Sequence, residues 1–170
     1  STTYASYEYI ATADAIERLV NYTHESAADL ERTFNNIVSM SALRTDLKRA
    51  LIEELKENSR LCFRVVADGV DHRQVIPKLS TTVFDRLNAA GFDFNALQRR
   101  RIAPYPGLAA SDLAPWAGKT TAALVSNIYD KLKDLRSRHE FTPEQKFNRR
   151  RLINIHKRLL LLLRHARDES

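Results

Sequence analysis

The side chains able to do chemistry crowd into the last part of the chain. Between Lys146 and Arg167 stand eight Lys or Arg residues, interleaved with His156 and His165. Cations at this density suit a phosphate backbone, an anionic membrane surface or an acidic protein face. The five histidines His24, His72, His139, His156 and His165, with the single Cys62, show no spacing typical of zinc. There is no HExxH and no GxSxG turn, so neither a metal nor a cofactor is expected. Gly118-Lys119-Thr120-Thr121 looks like the end of a phosphate-binding loop, but Leu113 stands at the required upstream glycine. No strand precedes it, so Gly118 is expected to end a loop, with Thr120 or Thr121 capping a helix. Glu53, Glu54 and Glu57 read as a solvated helix face paired with Lys56 and Arg60.

At about 100° per residue, Lys146, Arg149, Arg150, Lys157, Arg164 and Arg167 fall in one sector of a helix. Leu152, Ile155, Leu159, Leu162, Leu163 and Ala166 fall nearly opposite. The cationic row would run for about five turns, on the order of 30 Å. Ile153, Leu160 and Leu161 lie beside or within it, which predicts that part of that side is covered, a second subunit being one candidate. Arg99, Arg100 and Arg101 form a further basic cluster that could extend the row.

Arg151-Leu-Ile-Asn-Ile-His156 has an Arg-x4-His spacing that resembles the signature of the HEPN superfamily. The resemblance covers these six residues, and Leu152 departs from the polar residue the family commonly has after the Arg. It implies a small all-α, often dimeric domain and a metal-independent ribonuclease. His156 would act as acid or base, and Arg151 would stabilise the phosphate charge in the transition state. On the wheel the two flank the apolar face from opposite edges.

These residues need a helical scaffold, and the sequence describes one. An amphipathic stretch within residues 1–25 carries Ile16, Leu19 and Val20. Ser26 caps a second helix with Leu30, Phe34, Ile37 and Val38, and a third runs from about Ser41 to Ala67 with a stop at Gly69. Pro77 breaks the next segment. Ser80 or Thr81 caps a short helix through Leu87 to Gly91, and another short one carries Phe94 and Leu97. A Pro-rich loop spans 102–119, with Tyr105, Leu108, Leu113 and Trp116 able to pack it onto the body. One helix then runs from about Thr120 to His139. A capping box at Thr142 and Gln145, with Pro143 between them, is expected to open the last helix.

At 170 residues the chain fits a single all-helical domain, residues 1–170, with room for a core. The expected fold is an all-α bundle of about six or seven helices, the last two forming an antiparallel hairpin. One cysteine excludes an internal disulfide framework and fits a reducing compartment. No apolar run reaches the roughly 18 residues of a membrane span, and no signal peptide is visible, so a cytoplasmic location is expected. The net charge of +6 is uneven: residues 1–97 hold 11 Lys/Arg against 14 Asp/Glu, and residues 98–170 hold 16 against 7. The expected function is a nucleic-acid-binding or nucleoprotein-associated module, RNA and DNA not being distinguished. Two further readings stand beside it. One is the HEPN-like ribonuclease; the other is a helical domain docking an acidic protein, with homodimerisation through the last helix also open.

Overall fold

In a computed structural model, the backbone is described from Ala27 to Arg167 and side-chain environments from Thr45 to Arg167. The helix expected within residues 1–25 and its neighbour's cap at Ser26 lie outside the described residues. Helix α1 spans Ala27–Val66 without a break, so the two helices expected on either side of Ser41 are one. The stretch Ser39-Met-Ser-Ala42 has no Gly or Pro. A serine's preference for caps is too weak to interrupt a helix already propagating from both sides. The end comes at Gly69, which takes φ of +69°. There the Val70 N–H reaches back to the Arg64 carbonyl at 3.1 Å, which satisfies one of the helix's terminal carbonyls.

Short elements follow. Asp71 accepts from the Arg73 N–H and caps α2 (His72–Val75), and Pro77 sits in a 3-10 turn over Ile76–Lys78. Helix α3 (Thr82–Ala89) precedes Gly91, whose φ of +72° turns the chain. Asp93 then caps a 3-10 turn over Phe94–Leu97.

The Pro-rich loop contains helix α4 (Pro106–Ala109) and a 3-10 turn over Ala114–Trp116. Its ends are tied together. The Ile102 N–H donates to the Lys119 carbonyl at 2.9 Å, and the Gly118 N–H donates to the Ile102 carbonyl at 2.8 Å. Ile102, Leu108 and Leu113 are buried, so the loop is packed down as its apolar content predicts.

Helices α5 (Thr121–Phe141) and α6 (Phe147–Arg167) close the chain. Thr120 caps α5 by accepting from the Ala123 N–H at 3.2 Å. The next boundary differs from the capping-box expectation. Thr142 ends α5, its N–H bonded to the Arg138 carbonyl at 2.8 Å, and does not open α6. Pro143 lacks the N–H that would continue the helix. The chain turns, and Gln145 supports the new start: its side chain accepts from the Phe147 N–H and its carbonyl from the Asn148 N–H. A connection this short makes the two helices antiparallel neighbours, and they pack along one another.

Among the described residues the chain is all-helical, with no strand. Four helices there have eight or more residues, fewer than the expected six or seven. None is long and apolar enough to cross a membrane.

The chain divides into two compact units, Ser1–Leu51 with Val83–Phe92, and Ile52–Thr82 with Asp93–Ser170. In the first, Leu51, Phe84, Leu87 and Phe92 are buried. The second is built on Leu55 and Cys62 of α1, Leu124, Ile128 and Leu132 of α5, and Leu152, Leu159 and Leu162 of α6, all fully buried. Burial pushes the Cys62 thiol up to about 12, which keeps it protonated and unreactive.

This second core also holds polar groups. Glu54 is buried, contrary to its expected place on a solvated face. It accepts from the Tyr129 hydroxyl at 2.8 Å and the Ser80 hydroxyl at 2.9 Å. One turn on, Asn58 clamps Ser80 by both its donor and its acceptor, each bond 2.8 Å long. Glu53 and Glu57 are exposed and paired with Lys56 and Arg60 as expected.

Candidate nucleic-acid interface

Helix α6 carries seven Lys or Arg residues and no Asp or Glu. Its leucine side is buried in the core, which turns the opposite side outward. Arg149, Arg150, Lys157, Arg164 and Arg167 are all exposed, as is Lys146 just before the helix. Among the described residues Lys146, Arg149, Arg150 and Arg167 have no ion-pair partner, and Lys157 approaches Asp112 at 3.7 Å. An exposed pair at that distance holds Lys157 only weakly. Arg158, by contrast, turns back on the helix and donates to the Asn154 carbonyl at 2.9 Å.

The clasped loop borders the C-terminal half of this face. The Arg164 guanidinium lies 3.7 Å from the centroid of the Tyr105 ring, a cation–π stack that fixes its plane. Leu161, expected beside the row on a side that is partly covered, is buried. Ile102, Ala103, Pro104 and Tyr105 line a small recess with it, so the chain's own loop covers this side of the helix. Leu160 remains half exposed. Gln98 donates to the His165 carbonyl at 3.4 Å, which brings the start of the Arg99–Arg101 cluster to the end of α6. That cluster is partly committed: Arg99 pairs with Asp93 at 2.7 Å, and Arg101 donates to the Gly118 carbonyl at 2.9 Å.

At the N-terminal half, the surface dips into a depression of about 610 Å³ lined by Lys146, Phe147, Arg149, Arg150, Ile153, Asn154 and Lys157. A second depression, of about 530 Å³, shares Lys146 and Arg149 and is otherwise lined by Val65, the run from Gly69 to Arg73 and Glu144. In it Arg73 is held by Asp71 and Glu144. The hydrogen bonds from Arg73 keep the Asp71 carboxyl down at about 2. Phe147 is 49% exposed, Phe63 52% and Phe141 83%. Sequence reasoning missed these rings. The signal for Phe147 is its place two positions beyond Gln145, off the leucine sector of the wheel.

Arg151 and His156 are not joined to one another by any hydrogen bond or ion pair. Arg151 is half-buried and donates to the Asn148 side-chain oxygen at 3.0 Å. Asn148 is fully buried, and its amide nitrogen has no partner. His156 is buried, edge-on to the Phe63 ring with centroids 6.4 Å apart. Burial lowers its pKa below the ordinary 6.5, because the charged imidazole loses solvation. Below pH 6.5 the unfolded chain takes up a proton at this position that the folded chain resists. Its contribution to stability is therefore complete above pH 6.5 and drains away as pH falls toward the lower folded value. The expected result is a melting temperature that falls between pH 7 and 5 less steeply in His156→Gln than in the parent. Equal slopes would remove His156 as the cause.

His165 has a structural role. Thr121 donates its hydroxyl proton to the Gln98 carbonyl at 2.7 Å. The contact of 2.8 Å between Thr121 Oγ1 and His165 Nε2 therefore has the imidazole N–H as donor. Among the described residues no group of three or more His, Cys, Asp or Glu side chains could hold a metal ion.

Comparison of the chain with protein-family models, with curated proteins and with solved structures finds no match.

Proposed function

We propose that this protein binds nucleic acid through the phosphate backbone, with the outward face of α6 as the site. The observation that supports it best is the row Lys146, Arg149, Arg150, Lys157, Arg164 and Arg167. All six are exposed, five along α6 and Lys146 just before it, and the helix carries no carboxylate of its own. A packed leucine face holds that row in place, so little ordering is needed on binding. The row extends over about 30 Å, long enough to meet several phosphates of one strand. An acidic protein would be met by the same charges, and RNA is not separated from DNA by phosphate contacts alone.

The test is a salt series with labelled RNA, duplex DNA and polyglutamate, followed by fluorescence anisotropy. Contact by most of the row gives a log–log slope of about −4 to −5 with duplex DNA. Nucleic acid should bind more tightly than polyglutamate at every salt concentration. No binding at low salt, or equal binding of polyglutamate, overturns the reading. Scoring the same RNA samples for cleavage, with His156→Ala as control, tests the HEPN-type expectation in parallel.

A further inference from the structure

We infer that the N-terminal depression on α6 takes unpaired nucleotides, with a base stacked on Phe147, so that the site prefers single-stranded nucleic acid over duplex. This rests on the backbone-binding reading above and adds a strand preference to it. Three kinds of group meet in the depression. Lys146, Arg150 and Lys157 supply positive charge, Phe147 a half-exposed aromatic ring, and Asn154 a side-chain amide. No carboxylate lines it.

Each kind matches a different part of a nucleotide. The cations match phosphate, the ring matches the flat face of a base, and the amide matches a base edge, which carries both donors and acceptors. The Asn154 side-chain amide makes no hydrogen bond to any described residue and is only partly buried, so it is free to make them outward. Phe147 and Asn154 are seven positions apart, two turns along one side of the helix and about 10 Å in rise. A base on the ring leaves its neighbour along an extended strand within reach of the amide. The Lys146 ammonium lies over the Phe147 ring, 5.8 Å from its centroid, so a base stacks on the opposite face or displaces the ammonium toward its own phosphate.

A duplex satisfies only the cations, because its base faces are already stacked on one another. An anionic membrane fits less well. Insertion of Phe147 would carry the neighbouring Asn154 amide toward lipid, where it finds no partner. The mixed order Phe147, Arg150, Ile153, Asn154 does not divide into an apolar side and a charged side.

The experiment uses the full chain with an RNA and a DNA single strand, each carrying one fluorescent adenine analogue, the matching duplexes, and vesicles of anionic phospholipid. Single strands are expected to bind at least about tenfold more tightly than duplex at the same salt, with quenching of the stacked analogue. Phe147→Ala should lose about tenfold on single strands, leave duplex affinity unchanged and abolish the quenching. Phe147→Trp should keep all three properties, and Asn154→Ala should weaken single strands alone. Equal affinity for single strand and duplex, unaffected by Phe147→Ala, overturns the stacking site and leaves backbone binding standing. Binding of neither overturns both. Vesicle binding that depends on Phe147, without strand preference, makes the depression a membrane contact and ends the proposal.

Discussion

Reversing the charge of Arg149, Arg150 and Lys157 together is expected to weaken nucleic-acid binding by at least about a hundredfold near 0.1 M salt. All three line the N-terminal depression. If each meets one phosphate, the log–log salt slope should flatten by about three, and the loss should be similar for unrelated sequences. The fold should survive. These side chains are exposed, and among the described residues their one ion pair is the loose contact of Lys157 with Asp112. Reversal of Arg99, Arg100 and Arg101 is the internal comparison, with a smaller loss expected because Arg99 and Arg101 already have partners. Parental affinity in the first variant, with a parental circular dichroism spectrum, would remove α6 as the site.

The second large effect lies on the other side of the same helix. Leu162→Ala is expected to cost roughly 2–5 kcal/mol, from lost transfer of the side chain plus the cavity it leaves. Leu162 is fully buried, as is Leu159, where the same substitution should cost a similar amount. Leu160→Ala should stay within about 0.5 kcal/mol, since that side chain is half exposed. Leu161→Ala should fall nearer Leu162 than Leu160, because the loop covers it. Urea titrations of the four variants check the order. A cost at Leu160 equal to that at Leu162 would mean that something not in this chain covers the outward face.

Periodicity makes the α6 wheel legible in the sequence. A buried leucine sector and an exposed cationic sector follow from 3.6 residues per turn. Leu152, Ile155, Leu159 and Leu162 are buried as that spacing predicts, while Leu163 and Ala166 at the end of the sector are only partly so. Gly69 and Thr120 were legible for the same local reason, one tolerating a left-handed backbone and the other offering a capping hydroxyl. What the wheel lacks is the neighbour. A cover over Leu161 is expected from the wheel, with a second subunit as one candidate; its source, Ile102–Tyr105, lies far away in sequence. Glu54 looked solvated because its partners Ser80 and Tyr129 lie 26 and 75 positions off. Thr142 misled for a different reason, since its hydroxyl and the following proline suit a helix start. The same proline, lacking an N–H, also ends α5, and that consequence prevailed. The Phe147 depression was illegible because it forms from the shape of a turn as well as from residue type.

The clasp at the foot of the Pro-rich loop gives the chain an optical handle. Trp116 is the sole tryptophan, and it sits inside the segment closed by Ile102 and Lys119, with the Lys119 ammonium 4.8 Å from its ring. The same segment supplies Asp112 to Lys157 and Tyr105 to Arg164. A polyanion that draws those two cations away would disturb the segment as a unit. The indole's emission would then report occupancy of the far end of α6 with no label attached, while an adenine analogue reports the near end in the same cuvette.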